Sequence, residues 1–300
     1  MTDWTNFLVG QFIGGQALYL GIALCLMGCS LKIFFSKSRI QSLARITVLA
    51  GIIFVVLSAA PFSWWAYGAF FSLLIFAAFV PTDRLRWATQ ARRLPFVLAL
   101  LVGSWMIGTE IHYSLPPKIQ LATADTLFVI GDSISIGADP PGKNWPDLLG
   151  DLNKLNVRNF SFGGAKVESS LDSALRIDRE EALVILEIGG NDLLGGTSIS
   201  KFRGDLDKLL SLVSGPHRQV AMIELPLPPF YNQYGMVQRA LAASHHVTLI
   251  PKRYLARVIG TPGATVDGLH LSNTGHALLA RSLSEALKPP VSASAKPITK

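Results

Sequence analysis

The sequence predicts a chain in two parts: four membrane-crossing helices, followed by a three-layer α/β/α domain built on a parallel sheet. Three observations carry this expectation. Half of the 300 residues are hydrophobic and only 16% are charged, against roughly 25% charged residues in an ordinary soluble domain. The apolar residues before position 115 fall in long uncharged runs. From Thr126 onward, short apolar runs of strand length alternate with helical stretches, the pattern of a parallel sheet covered on both faces.

The membrane part is read run by run. Residues 4–31 contain no charge, which is enough for a pass needing about 20 residues; a first helix is expected over about 7–31. Lys32, Lys37, Arg39 and Arg45 follow it. Residues 46–82 are also uncharged, but Pro61 and the aromatic group Trp64, Trp65 and Tyr67 interrupt them. This predicts two passes, about 43–60 and 63–81, joined by a tight hairpin. Asp83, Arg84, Arg86, Arg92 and Arg93 come next, and a fourth helix is expected over about 94–113, with Glu110 and His112 at its end and Trp105 and Tyr113 near the interface.

Four passes put both termini on one side, and the basic residues choose the side. The net charge is +7; residues 1–115 hold eight Lys or Arg against three Asp or Glu, and the remainder nineteen against seventeen. The excess therefore belongs to the apolar half, where it fits membrane topology and not nucleic-acid binding. All eight lie in the loops after passes one and three. The positive-inside rule holds those loops in the cytoplasm. Both termini and the second half of the chain are then expected outside, anchored in the inner membrane. Cys25 and Cys29 sit one turn apart on a single helix, which disfavours a disulfide between them.

Pro116 and Pro117 end the fourth helix, and residues 116–124 read as a linker. The second domain is expected over 125–288, and the proline- and serine-containing stretch 289–300 as a disordered tail. Strands are expected at 127–130, 155–160, 182–188, 220–225 and 247–250, with helices at about 144–153, 168–178, 200–213, 233–244 and 273–287. In such sheets ligands bind beyond the carboxyl ends of the strands, and that is where the glycine and polar clusters of this chain fall.

Three clusters carry chemistry. Strand one ends in Gly131-Asp132-Ser133. A serine there can aim its hydroxyl into the cleft, but it is a poor nucleophile until a base takes its proton. Strand three ends in Gly189-Gly190-Asn191-Asp192, where an asparagine amide could hold an oxyanion. Before the last helix stands Asp267-Gly268-Leu269-His270, a carboxylate and an imidazole close enough to meet across one turn. Each cluster alone also fits a bland reading: a helix cap, a turn, or a histidine tied to a cap.

Taken together, these blocks resemble the SGNH hydrolases, the GDSL esterase/lipase family, and most of all the bacterial thioesterase I/lysophospholipase L1 type. Gly131-Asp132-Ser133 resembles the nucleophile block, Asn159-Phe160-Ser161-Phe162-Gly163-Gly164 the block with the oxyanion glycine, and Glu187-Ile188-Gly189-Gly190-Asn191-Asp192 the asparagine block. Asp267-Gly268-Leu269-His270 resembles the block of acid and base, and Trp145-Pro146-Asp147-Leu148-Leu149 a recurrent segment after the nucleophile. The resemblance covers residues 125–288 and implies a flavodoxin-like domain. It implies Ser133 as nucleophile, His270 as general base and Asp267 as the group that orients it. It also implies an oxyanion hole from the N–H groups of Ser133 and Gly164 and the Asn191 side chain, with no metal and no organic cofactor.

The expected function is an extracytoplasmic esterase acting on O-acyl groups of an envelope glycan or on lipid esters. Two alternatives stand beside it: an O-acyltransferase using the same acyl-enzyme, and a membrane assembly protein with an inert domain. Other polar residues receive structural readings. His245 and His246 form a loop pair, and His276 lies on the surface of the last helix. Asp132 and Asp192 shape loops, and Gly195-Gly196 give a mobile one. Glu187 and Glu224 hold strands by hydrogen bonds, with Glu187 within possible reach of the site.

Overall fold

A computed structural model describes residues 3–35, 37–79, 88–121, 124–137 and 142–288. The expected tail at 289–300 and the basic residues Arg84 and Arg86 lie outside them. The chain forms two compact units. One comprises Met1–Gly10, Leu115–Leu225 and Val237–Lys300; the other comprises Gln11–Ser114 and Pro226–Met236.

Among the described residues, five helices open the chain: α1 (Asp3–Ile13), α2 (Ala17–Phe34), α3 (Ser38–Leu57), α4 (Trp64–Phe79) and α5 (Ala88–Ser114). The first apolar run, expected as one helix, breaks into α1 and α2 at Gly14 and Gly15. Gly15 takes a φ of +79°, a conformation that costs glycine little and ends a regular helix. Helices α2 and α3 and the stretch Arg93–Ser114 of α5 are long and apolar enough to cross a membrane. Helix α4 has 16 residues, short for a full span, so three of the four expected passes reach that length among the described residues.

Helices α2 and α3 approach backbone to backbone. A methyl group added at Gly21 would meet a Val55 methyl at 2.7 Å, and one added at Gly51 would meet Gly21 O at 2.6 Å. Small residues in such seams let apolar helices pack by van der Waals contact where no hydrophobic drive separates them from lipid. Cys25 and Cys29 are buried in the same unit, with Leu18, Ile22, Phe70, Leu74 and Met106. The stretch Pro226–Met236, expected inside the second domain, belongs to this unit. There Asn232 Nδ2 donates to Tyr67 Oη at 3.1 Å, and Tyr67 Oη donates to Ala60 O at 2.6 Å.

The other unit is built on strands β1 (Ile119–Gln120), β2 (Thr126–Gly131), β3 (Asn156–Asn159), β4 (Ala182–Glu187), β5 (Arg218–Ile223), β6 (Thr248–Ile250) and β7 (Leu287–Lys288). Five of them form a sheet in the order β3-β2-β4-β5-β6, with every pair parallel. All five expected strands are present. The expected linker is not bare: β1 pairs in parallel with β7, and Ile119 and Leu121 join the core.

The helices of this unit are α6 (Ser133–Ile136), α7 (Trp145–Asn153), α8 (Leu171–Leu175), α9 (Gly190–Leu194), α10 (Ile199–Val213), α11 (Asn232–Ser244, its first residues counted with the apolar unit), α12 (Arg253–Ile259) and α13 (Asn273–Ala286). Strands β2 and β4 are buried along their whole length, so they read as continuous apolar runs, as strands covered on both faces do. Leu127, Val129, Leu183 and Ile185 pack with Trp145 and Leu149 of α7, Leu255 of α12, and Leu279 and Leu283 of α13. The alternating residues Phe128, Ile130, Val184 and Leu186, also buried, point to the opposite face. Each large apolar side chain so placed contributes about 1.5–3 kcal/mol.

Counted within the sheet, the strand order is 2-1-3-4-5, the doubly wound order of the flavodoxin-like fold. The connection after β2 leads to β3 on one side, and the next returns past β2 to β4. The winding reverses at β2, and in such sheets ligands bind beyond the carboxyl ends of the strands at that point.

Candidate active site

Gly131 closes β2 at that carboxyl end. A Cβ there would lie 2.5 Å from Ser135 Oγ and 2.9 Å from Glu187 O, so glycine lets α6 fold back on the strand end. Asp132 caps α6, its Oδ1 accepting from Ile134 N at 2.9 Å, a cap that contributes about 1 kcal/mol. Ser133 is thereby the first residue of a short helix. Among the described residues its backbone N–H meets no other backbone carbonyl.

The loop before α13 brings the other two residues in. Thr265 bridges to Leu271 in antiparallel fashion, and Gly268 turns at φ +91°. Asp267 Oδ1 accepts from the N–H groups of Leu269 and His270 at 2.9 and 2.8 Å. Its Oδ2 lies 2.6 Å from His270 Nδ1, and His270 Nε2 lies 3.0 Å from Ser133 Oγ. With Nδ1–H donated to the carboxylate, Nε2 carries the lone pair that faces the serine hydroxyl. The hydrogen bond from the His270 ring, followed by the two backbone N–H groups, holds the Asp267 carboxyl well below the usual range. The side chains of His270 and Asp267 are 32% and 52% exposed, open to a substrate from solvent.

Asn191 stands in the first turn of α9. Its Nδ2 donates to Asp132 Oδ2 at 3.1 Å and to Ala165 O at 3.1 Å. These two contacts join the loop before Ser133 to the loop after Gly164. Gly164 takes a φ of +73° with open space where a Cβ would be, and its N–H meets no backbone carbonyl among the described residues. The structure thus brings together Ser133, Asp267 and His270 by direct contact, and Asn191 and Gly164 through the Ala165 carbonyl. Asp192 is buried and its Oδ2 accepts from Val167 N at 2.9 Å; burial raises its carboxyl above the usual range.

Several contacts escape sequence reasoning. Asn159 Nδ2 donates to Ser135 O at 2.9 Å while its Oδ1 accepts from Ser161 N, tying the glycine loop to α6. His276, expected on the surface of the last helix, is instead 3% exposed; its Nδ1 accepts from Trp145 N at 3.2 Å, and burial lowers its pKa. The turn-by-turn face of α13 (Gly275, His276, Leu279, Ala280, Leu283) carried the signal, since His276 lies on the buried stripe. His245 pairs with Asp207 at 2.6 Å, away from any catalytic arrangement. Five exposed apolar side chains, Ile136, Phe162, Leu194, Val266 and Leu269, stand within about three residues of a candidate site residue in the chain, a spacing that lets loop side chains flank a ligand.

Comparison with known proteins gives a consistent picture. Residues 129–278 match the model of the GDSL-like lipase/acylhydrolase family. The chain is similar to Esterase TesA of Pseudomonas aeruginosa, at 30% identity over 185 residues, covering 57% of this chain and 91% of the relative. It is similar to the thioesterase 1/protease 1/lysophospholipase L1 of Escherichia coli, at 27% identity over 180 residues, 57% of this chain and 86% of the relative. A crystal structure of TesA aligns with a TM-score of 0.48 and 28% identity, covering 54% of this chain and 97% of the other.

Proposed function

The chain belongs to the GDSL-like lipase/acylhydrolase family, and from that membership we propose a membrane-anchored, extracytoplasmic serine esterase. In this reading Ser133 is the nucleophile, His270 the general base and Asp267 its orienting acid. The observation that carries it is the hydrogen-bonded path from Asp267 through His270 to Ser133, at 2.6 and 3.0 Å.

The chemistry follows from the geometry. Ser133 Oγ attacks the ester carbonyl carbon as its proton passes to His270 Nε2. The carbonyl oxygen becomes an oxyanion, met by the N–H groups of Ser133 and Gly164 and by Asn191 Nδ2. Both Asn191 amide hydrogens are in use at rest, so the oxyanion draws one from Asp132 or Ala165 as it forms. The alcohol leaves with the proton from His270. Water then attacks the acyl-serine through the same base, releasing the acid. Asp267 stays ionised throughout, in keeping with its lowered pKa.

The exposed apolar side chains next to the site residues in the chain, Phe162, Leu194 and Leu269 among them, support an acyl group as the recognised part. The spans α2, α3 and Arg93–Ser114, with basic residues between them, support an inner-membrane anchor with the catalytic unit outside. Substrates of this reading are O-acylated envelope glycans or lipid esters. Fusion to several apolar helices also suits an acyltransferase, in which a sugar hydroxyl replaces water at the last step; product analysis with a glycan acceptor separates the two. The primary test uses the full chain in detergent. Hydrolysis of a short p-nitrophenyl ester and labelling by a fluorophosphonate are both expected, and both vanish in Ser133→Ala. Undiminished turnover in that variant would rule the reading out.

A further inference from the structure

Glu187 has no part in the acyl-transfer scheme, yet it sits behind both loops that the scheme needs. It closes β4 and is 2% exposed. Its Oε2 accepts from Ser135 Oγ at 2.8 Å and from the Asp132 backbone N–H at 3.5 Å. The Asp132 carboxyl, itself 3% exposed, is its neighbour across the strand ends, and the two carboxyls interact. Two buried carboxylates in contact do not both ionise; one keeps a proton and donates it to the other. The partners say which. Asp132 spends both oxygens on N–H donors, Oδ1 on Ile134 N and Oδ2 on Asn191 Nδ2, the pattern of an ionised carboxylate. Glu187 accepts from Ser135 Oγ and Asp132 N on Oε2 alone, which leaves Oε1 to carry the proton.

We propose that Glu187 remains protonated at working pH and donates to Asp132, and that this carboxyl pair is the clamp that sets the Asn191 amide and the Ser133 turn opposite each other. Glu187 is thus a positioning residue, and the inference rests on Ser133 and Asn191 acting as proposed above. Burial first, and then the charge of Asp132, hold the Glu187 carboxyl well above the usual carboxylate range. The groups that face the pair are Asp132 after β2, Ser135 on α6, and His270, whose charge reaches Asp132 from the loop before α13. The sign is fixed: the proton is held below the raised pKa and lost above it. On the alkaline side the pair gains a second negative charge, Asp132 and Glu187 repel, and the hold on Asn191 Nδ2 and Ile134 N is lost.

The experiment uses the full chain in detergent with wild type, Ser133→Ala, Glu187→Gln and Glu187→Ala. It reads kcat and KM for a p-nitrophenyl ester against pH, together with the rate of fluorophosphonate labelling. Glu187→Ala is expected to lower kcat about 10–100-fold, short of the roughly 10²–10³ for outright loss of an oxyanion donor, with KM little changed. Glu187→Gln donates and accepts as the protonated acid does. It is expected to recover most of that loss and to lack the alkaline fall in kcat that wild type shows. The proposal is overturned if Gln does no better than Ala, if Gln keeps the wild-type alkaline fall, or if Ala turns over at the wild-type rate. Should Glu187→Ala fail to fold, the pH profile of Glu187→Gln decides by itself. An active Ser133→Ala would sink the nucleophile reading; an inert Ser133→Ala beside Glu187 variants that match wild type sinks only the clamp.

Discussion

Ser133 is reactive in this scheme because of its neighbours, and the neighbours differ in how replaceable they are. Asn191 is held by two hydrogen bonds of 3.1 Å and sits at the start of a short helix with other anchors. Its loss should therefore reach the chemistry before the fold. Asn191→Ala is expected to cut kcat about 10²–10³-fold while thermal melting shifts little, checked by paired kinetics and a melting curve. These residues were legible in the sequence as blocks, because a strand ending in Gly131-Asp132-Ser133 and an Asp267–His270 spacing each have a stated chemical use. The carboxyl pair was not. Asp132 and Glu187 are 55 residues apart, and only the parallel register of β2 with β4, which sets Gly131 beside Glu187, brings them together.

At the scale of elements, strands were easy to read and helix breaks were not. The runs 127–130 in β2 and 182–186 in β4 are apolar without a break because both faces are covered, so composition alone marks them. The short helix α12 was missed because seven residues make only about two turns, too few for a helical period to stand out. The break between α1 and α2 was missed because a glycine pair lowers no hydropathy score; it acts through backbone freedom. Glycine also governs the seam between α2 and α3, where Gly51 leaves no room for a side chain. Gly51→Val forces the two backbones apart, an overpacking that costs about 1–3 kcal/mol. The detergent-solubilised variant is expected to melt lower, read by thermal challenge and size exclusion, while the folded fraction keeps the wild-type rate of fluorophosphonate labelling.

For the molecule as a whole, the charge pattern makes a claim about sidedness that single cysteines can test. Cys25 and Cys29 are buried, so they offer little background to a membrane-impermeant maleimide. Trp65 is 87% exposed at the start of α4, and Ser38 is exposed at the start of α3. In intact cells Trp65→Cys is expected to label, and Ser38→Cys only after the membrane is permeabilised. The reverse pattern would put the hydrolase unit in the cytoplasm and exclude envelope glycans as substrates.

The stretch Pro226–Met236 has a practical bearing on how this polypeptide can be dissected. The chain passes from one unit to the other at Gly10, at Ser114, at Leu225 and again at Met236. No single cut can therefore hand over an intact half. A fragment begun at Leu115 would retain every motif, yet Asn232 would travel with it while Tyr67, the hydroxyl it donates to, stayed behind.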